Sequence, residues 1–266
     1  MAIITISRGT YSGGKELAER ISKDLGYRLL SREQLLMDTA QEYGVSEEKL
    51  ETALMFKPSF LEGLSLRRIH YICYMQAAMA KEVQGDNVVY HGQAGHLLLH
   101  GIPHHLRFKV VADMEYRTKA AIERSSFTRE KAIKYIHDLD EERDKWVKAV
   151  YGVDRNDPAT YDIVINIERI SVGAACKIAE QLAMTEFKTT PESQKAMDDL
   201  VASSEIRAKI AASRTIRDDH IEVEVDNGVV TLLGTVRSLA DADKVREFVR
   251  QLPGVKDIVS KMGTRW

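Results

Sequence analysis

The chain has little of what would mark it as a special class of protein. Its 266 residues include two cysteines, Cys73 in "IHYICYMQ" and Cys176 in "GAACKIAEQL". Neither has the close pairing of a metal or redox motif, so both are expected to be buried thiols. Five prolines leave little room for low-complexity segments. No run of about 18 apolar residues could span a bilayer. The opening "MAIITIS" is too short for a signal h-region and has no cationic n-region, so the expected location is the cytoplasm. Net charge is nearly absent too: 38 basic against 40 acidic side chains give −2. No global field would draw the protein to nucleic acid or an anionic membrane, and any anion site must be local.

What is present supports a folded, core-forming chain, 44% hydrophobic and 29% charged, with length for one large domain or a medium and a small one. "AIITIS" (2–7) reads as a buried strand, followed by a glycine-rich turn and a helix over 14–25 in which Leu17, Ile21 and Leu25 share a face. Gly26 ends that helix. "YRLL" (27–30), "NVVYHG" (87–92), "LRFKVVAD" (106–113) and "YDIVINI" (161–167) are further strand-like runs. Ser31 opens a helical region with breaks at Gly44 and Pro58. Further helices are read over 64–83, in the charged section 114–150, and over 171–184. Strands alternating with helices predict an α/β fold: a parallel sheet covered on both faces.

"TEFKTTPESQ" (185–194) has the composition of a linker or domain edge. A helix near 194–212 follows. Then "HIEVEVDNGVVTLLGTV" (220–236) alternates apolar and polar residues about Asn227-Gly228, the favoured two-residue hairpin turn. A helix (238–251), the turn Pro253-Gly254 and a last strand (255–262) complete an α-β-β-α-β unit, a small α+β domain.

Gly9 to Lys15 satisfies G-x-x-x-x-G-K between a predicted strand and a predicted helix, the context a phosphate loop requires. Gly9, Gly13 and Gly14 permit tight curvature, so that backbone N–H groups and the helix N-terminus face phosphate oxygens, with Lys15 as a point charge. Glu16 stands where a Ser or Thr would ligate Mg²⁺. Thr10 and Ser12 are the hydroxyls left to hold the metal or a phosphate; otherwise the metal is held through water and the nucleotide. The bland alternative is a glycine-rich turn with an exposed lysine.

On "ITISRGTYSGGKELAERISKDLGY", "VVYHGQAGHLLL", "RFKVVADMEYRTKAAIE", "DLDEERDKW" and "DPATYDIVIN", the first 184 or so residues resemble the cytidylate kinase-like family, a branch of the P-loop nucleoside monophosphate kinases. The resemblance implies a five-stranded parallel sheet, a nucleoside monophosphate site, a mobile lid, and the use of ATP and Mg²⁺. It also makes Glu16 a family trait. It implies that Lys15 and the loop bind the donor phosphates and that Arg117 and Arg143 clamp the moving phosphoryl group. Where the family usually reads Gly-Arg, this chain has Gly92-Gln93, which loses a full charge but keeps hydrogen-bonding capacity. Asp140, three residues before Arg143, could orient it or form an ordinary solvated pair. Asp113, at a strand's carboxyl end, could reach substrate or cap a helix.

Five histidines, His91, His96, His100, His104 and His105, crowd "HGQAGHLLLHGIPHH". His96 and His100 have the i,i+4 spacing of metal ligands, but no acid or cysteine in the segment completes a site, and no metal site is expected. Residues 195–264 resemble the BON domain, with Gly228, Gly234 and Gly254 where its turns need them. That implies an anionic or small-molecule ligand, for which Arg237, Lys244, Arg246 and Arg250 are the candidate face. Asp241, Asp243 and Glu247 balance that face, so a solvated helix surface is the simpler expectation. The expected domains are 1–186 and 195–266, joined by 187–194. The expected activity is γ-phosphoryl transfer from ATP to a nucleotide acceptor. Two alternatives stand beside it: a catalytically weak nucleotide-sensing protein coupled to the BON unit, and a kinase for another small acceptor. The sequence leaves self-association open.

Overall fold

A computed structural model of the chain describes residues 1–55, 66–213, 216 and 220–264; the expected break at Pro58 lies outside them. The first unit is a five-stranded sheet in the order β2-β3-β1-β4-β5, built from β1 (Ile3–Arg8), β2 (Arg28–Ser31), β3 (Val88–His91), β4 (His105–Val111) and β5 (Ile163–Asn166). Every neighbouring pair runs parallel, so all carboxyl ends share one edge. The helices are α1 (Gly14–Leu25), α2 (Arg32–Tyr43), α3 (Glu47–Met55), α4 (Leu66–Val83), the single turn α5 (Gly95–Leu98), α6 (Met114–Ser125), α7 (Arg129–Tyr151) and α8 (Val172–Thr185). Helix α1 has the expected bounds, closed by Gly26 in the left-handed region. The charged section 114–150 is two helices: Ser126 turns left-handed at φ 52° and Thr128 caps α7 through the Lys131 N–H.

Two apolar cores flank the sheet. One gathers Leu35, Met75, Met79, Tyr90 and Trp146; the other gathers Ile4, Leu17, Ile21, Phe108 and Ala179. The alternation follows from strand geometry, because successive residues of β1 face opposite sides. Trp146 is fully buried, and its indole N–H donates to the Ala53 carbonyl at 2.8 Å.

The second unit begins with α9 (Pro191–Ala212) and continues with β6 (Ile221–Asp226), β7 (Val229–Val236), α10 (Leu239–Arg250), β8 (Asp257–Ser260) and β9 (Gly263–Thr264). The last strand, expected unbroken, is thus split. Both pieces pair in parallel with β7 in one register, and the gap falls opposite Leu233 and Gly234. There Gly234 adopts φ 96°, where a Cβ would lie 1.8 Å from the His220 carbonyl oxygen. The gap thus lies beside a backbone position that favours glycine.

Helix α9 serves both units. Met197 and Val201 enter the core beside α4, while Ile206 and Ile210 enter the core beneath β6 and β7. The segment before it is tied down: the Thr189 N–H and hydroxyl both donate to the Met1 carbonyl, at 2.9 and 2.6 Å. Both cysteines are buried, and neither is in a disulfide. Among the described residues, no helix is long and apolar enough to cross a membrane.

Candidate active site

The loop 9–13 leaves the carboxyl end of β1, between the ends of β3 and β4, and enters α1. It closes on itself, as the Ser12 N–H and hydroxyl donate to the Gly9 carbonyl at 3.2 and 2.9 Å. Gly13 sits at φ 79°, and a Cβ there would come within 2.2 Å of Ile167 Cδ1; one on Gly14 would come within 2.6 Å of Arg8 Cβ. Glycine is therefore required by the backbone and by its neighbours, as in a loop that holds phosphate with main-chain N–H groups. Lys15 extends into solvent at the start of α1, its ammonium 3.7 Å from Glu19 and its side chain 59% exposed. Such a lysine is free to turn onto a phosphate. Glu16 is exposed beside it.

Opposite the loop, α6 and α7 present Arg117, Asp140 and Arg143. Asp140 Oδ1 accepts from the Thr10 N–H at 3.1 Å and from its hydroxyl at 2.8 Å. The Asp140 carboxylate is also paired with Arg117, whose Nε donates to the Thr10 carbonyl at 2.7 Å. Arg143 donates to Thr10 Oγ1 at 2.9 Å and lies 3.9 Å from Asp140. Asp140 is therefore no solvated helix pair. Burial alone would raise its pKa, but Arg117, the Thr10 hydrogen bond and Arg155 hold the carboxyl below the usual range. Burial, followed by repulsion from Arg155, pushes Arg143 down to about 10 against the pull of Asp140. It remains a cation at neutral pH.

Beside this cluster is a second pocket, lined by Arg8, Arg32, Arg143 and Arg155 with Glu33 and Gln93. Its walls come from the ends of β1, β2 and β3, from α7 and from the segment that follows α7, so it lies at the carboxyl edge where open α/β sheets bind ligands. Gln93 contributes an amide whose oxygen and nitrogen are both buried without a protein partner among the described residues. The cavity is about 30 Å³, room for roughly one water. A nucleotide would not fit a space of that size.

The structure thus brings Gly9, Thr10, Ser12, Gly13, Gly14, Arg117, Asp140, Arg143 and Gln93 to one edge, with Lys15 and Glu16 at its solvent margin. It gives Asp113 to the fold, as the cap of α6, accepting from the Tyr116 N–H at 2.7 Å. Sequence reasoning missed Arg8, Arg32 and Arg155. Arg8 had a usable signal, since it directly precedes the loop; Arg155, in the irregular segment "GVDRNDP", had none.

The histidines divide. His105 accepts or donates at Thr5 Oγ1 at 2.7 Å, and His104 lies 3.0 Å from Asp86, both rings buried. His96 is buried against the Tyr161 ring, 4.5 Å between centroids. Burial and then neighbouring His105 push His96 down to about 3, and burial does the same to His105. His96 and His105 are thus neutral core imidazoles. Among the described residues no three His, Cys, Asp or Glu side chains are grouped to hold a metal ion. In the second unit, Lys244, Arg246 and Arg250 are each paired with an acid on their own helix.

The comparisons with known proteins agree with this geometry. Residues 3–169 match the model of the cytidylate kinase-like family, and residues 198–264 match that of the BON domain. A cytidylate kinase of Sulfurisphaera tokodaii is 25% identical over 179 residues, 67% of this chain and 93% of that protein. Osmotically-inducible protein Y of Escherichia coli is 36% identical over 67 residues, 25% of this chain. The match spans only 33% of that relative's length. Among solved structures, an uncharacterized protein of Eubacterium ventriosum superposes with a TM-score of 0.55 at 19% identity, over 70% of this chain and 99% of its own. That likeness shows a shared fold.

Proposed function

The chain belongs to the cytidylate kinase-like family and ends in a BON domain, and from that premise we propose that it transfers the γ-phosphoryl group of ATP to a nucleoside monophosphate of the cytidylate kind. The observation that carries the reading is the meeting of Arg117, Arg143 and Asp140 on Thr10 of the phosphate loop. Phosphoryl transfer needs little covalent help from protein. It needs two oxygens held in line and the charge on the equatorial oxygens neutralised.

In this reading, backbone N–H groups of the loop and the amino end of α1 hold the donor's phosphates, and Lys15 swings from Glu19 onto them. Arg117 and Arg143 already lie over the loop, so their guanidiniums meet the transferring group without reorganisation. The acceptor's phosphate enters the arginine pocket beside Gln93, and closure of α6 and α7 excludes water. No side-chain base is needed.

The phosphate loop fits a nucleotide, but the described residues do not fit a protein-bound Mg²⁺. Glu16 replaces the usual hydroxyl and is exposed, Ser12 is buried with its hydroxyl turned to the Gly9 carbonyl, and Thr10 Oγ1 is shared by Asp140 and Arg143. A metal would ride on the nucleotide and water, and the protein's own neutralising charges are guanidiniums. The same reading puts the protein in the cytoplasm, where ATP is available, and gives the BON unit an anionic or small-molecule ligand.

A second reading has a specific observation behind it. The Asp140 carboxylate already accepts from the loop's Thr10 N–H, and with Gln93 in place of arginine this favours a domain that holds nucleotide with little turnover. A coupled ADP-release assay with MgATP against CMP, dCMP, UMP, AMP and GMP separates the two. Acceptor-dependent turnover that disappears in Lys15→Ala supports the kinase. Tight ATP binding with no turnover on any acceptor, and activity gained in Gln93→Arg, would replace it with the sensing module.

A further inference from the structure

Arg155 lies between α7 and β5, outside any regular element, yet it is only 5% exposed. Its Nε donates to Asp144 Oδ1 at 2.6 Å and its Nη2 lies 3.9 Å from Asp140. Its side chain lines the pocket that holds Arg8, Arg32 and Gln93. The backbone beneath it is held with equal care. Lys109 Nζ, from the centre of β4, donates to the Arg155 carbonyl at 2.5 Å and to Asn156 Oδ1 at 2.8 Å. The Tyr161 hydroxyl donates to the same carbonyl at 2.9 Å. Asn156 Nδ2 then donates to Asp144 Oδ2 at 2.9 Å, returning to the carboxylate that grips the guanidinium.

Lys109 is 6% exposed and flanked in its strand by Phe108 and Val110, both fully buried. An apolar residue would serve packing better there, because a buried ammonium is costly unless its hydrogen bonds are used. Its bonds all end on the short segment that carries Arg155. Burial, then Arg155, push the ammonium down to about 8, partly offset by Asp144, Asp154 and Asp140. The network therefore holds its charge loosely while fixing the loop firmly.

The guanidiniums partition along the edge. Arg117 faces Gly9 and Thr10 on the donor side. Arg143 touches Thr10 and also lines the pocket, so it stands between the two. Arg8, Arg32 and Arg155 lie on the acceptor side, where the family's usual arginine is replaced by Gln93. The guanidiniums around this small cavity are steadied by carboxylates behind them, Arg155 by Asp144 and Arg32 by Glu51, which leaves them gathered on one side of a space that an anion could enter. A phosphomonoester dianion has the charge and the oxygen geometry that arginine forks match.

We propose that Arg155 binds the acceptor's phosphate, supplying charge that Gln93 does not, and that Lys109 is the positioning residue that holds Arg155 in the pocket. This rests on the kinase reading for its biological meaning, but its test is binding, which needs no turnover. Titration calorimetry on the full chain, with CMP and separately with inorganic phosphate, is expected to show Arg155→Ala weakened about tenfold or more for both, the loss expected for one charged hydrogen-bond partner. Arg155→Lys recovers part of it. Lys109→Met, which keeps the length of the side chain, weakens both ligands less, leaves ATP affinity unchanged, and adds nothing on the Arg155→Ala background. Where turnover is measurable, both variants raise the acceptor KM with kcat largely retained. Unchanged CMP and phosphate affinity in Arg155→Ala, losses that multiply in the double variant, or a parent protein that binds neither anion would each overturn the proposal. Arg155-dependent CMP binding without transfer to any acceptor would sink the kinase reading and leave the phosphate site standing. Retained ATP affinity reports that each variant is folded.

Discussion

The α/β unit and the small C-terminal unit treat charge in opposite ways. The first buries Arg155 and Lys109 and half-buries Arg117, Asp140 and Arg143, each held by a partner from another part of the chain. Among the described residues the second keeps its ion pairs at the surface, along α10 and between Lys195 of α9 and the acids Asp199 and Asp226, around a core of Ile206, Val230, Leu232, Val245 and Val249. Buried charge is costly and is retained where something must be bound or oriented; surface pairs contribute little. The difference singles out the carboxyl edge of the first sheet as the candidate site.

The strongest way to break that comparison is at the charged edge. Asp140→Asn removes the group on which Arg117, Thr10 and Arg143 converge, and kcat/KM in the ADP-release assay is expected to fall about 100-fold, the size of losing one preorganised electrostatic partner. Activity near the parent level would mean that the buried pair is structural. In the second unit the sensitive point is backbone geometry. Gly234→Ala forces a Cβ against the His220 carbonyl, and a loss of about 3 kcal/mol is expected in denaturant unfolding, with ATP binding by the first unit retained. If ATP binding were lost along with it, α9 would be coupling the two units more tightly than their separate cores suggest.

A smaller effect tests the neutral histidines. Because His96 and His105 are held down near 3 while an unfolded histidine titrates near about 6.5, the unfolded chain takes up protons first as pH falls. Stability from these groups is complete above the unfolded value and is lost toward pH 3, by at most about 1.4 kcal/mol per pH unit for each group. Urea unfolding of His96→Phe between pH 7 and pH 4.5 is expected to show a shallower slope than the parent; an equal slope would mean the ring titrates normally. Smallest of all, Arg246→Ala, on the exposed pair with Asp243, should leave the melting temperature within replicate scatter.

Much of the fold was legible because it is written in local pattern. The apolar run of β1, the glycine turn and the face of Leu17 and Ile21 specify strand, loop and helix without reference to anything distant. The Asn227-Gly228 turn likewise fixes the β6-β7 hairpin. The break in the final strand was not legible, because no breaker within 255–262 marks it and it shows only in the pairing with β7. Of the site, the loop and Lys15 could be read from spacing, Arg117 and Arg143 came from the family resemblance, and Asp140 stood out only by its i,i+3 spacing to Arg143.

The sequence by itself determined the elements, their order and the presence of a phosphate loop, since periodicity, turn chemistry and glycine placement act over a few residues. The tertiary structure alone decided that Asp140 would accept from Thr10, 130 positions away, that Asp113 would cap a helix while Arg155 entered a pocket, and that α9 would belong to both cores. Those outcomes depend on which carboxyl ends share an edge and which side chains lose their water there. Such facts arise only when parallel strands distant in sequence are laid side by side.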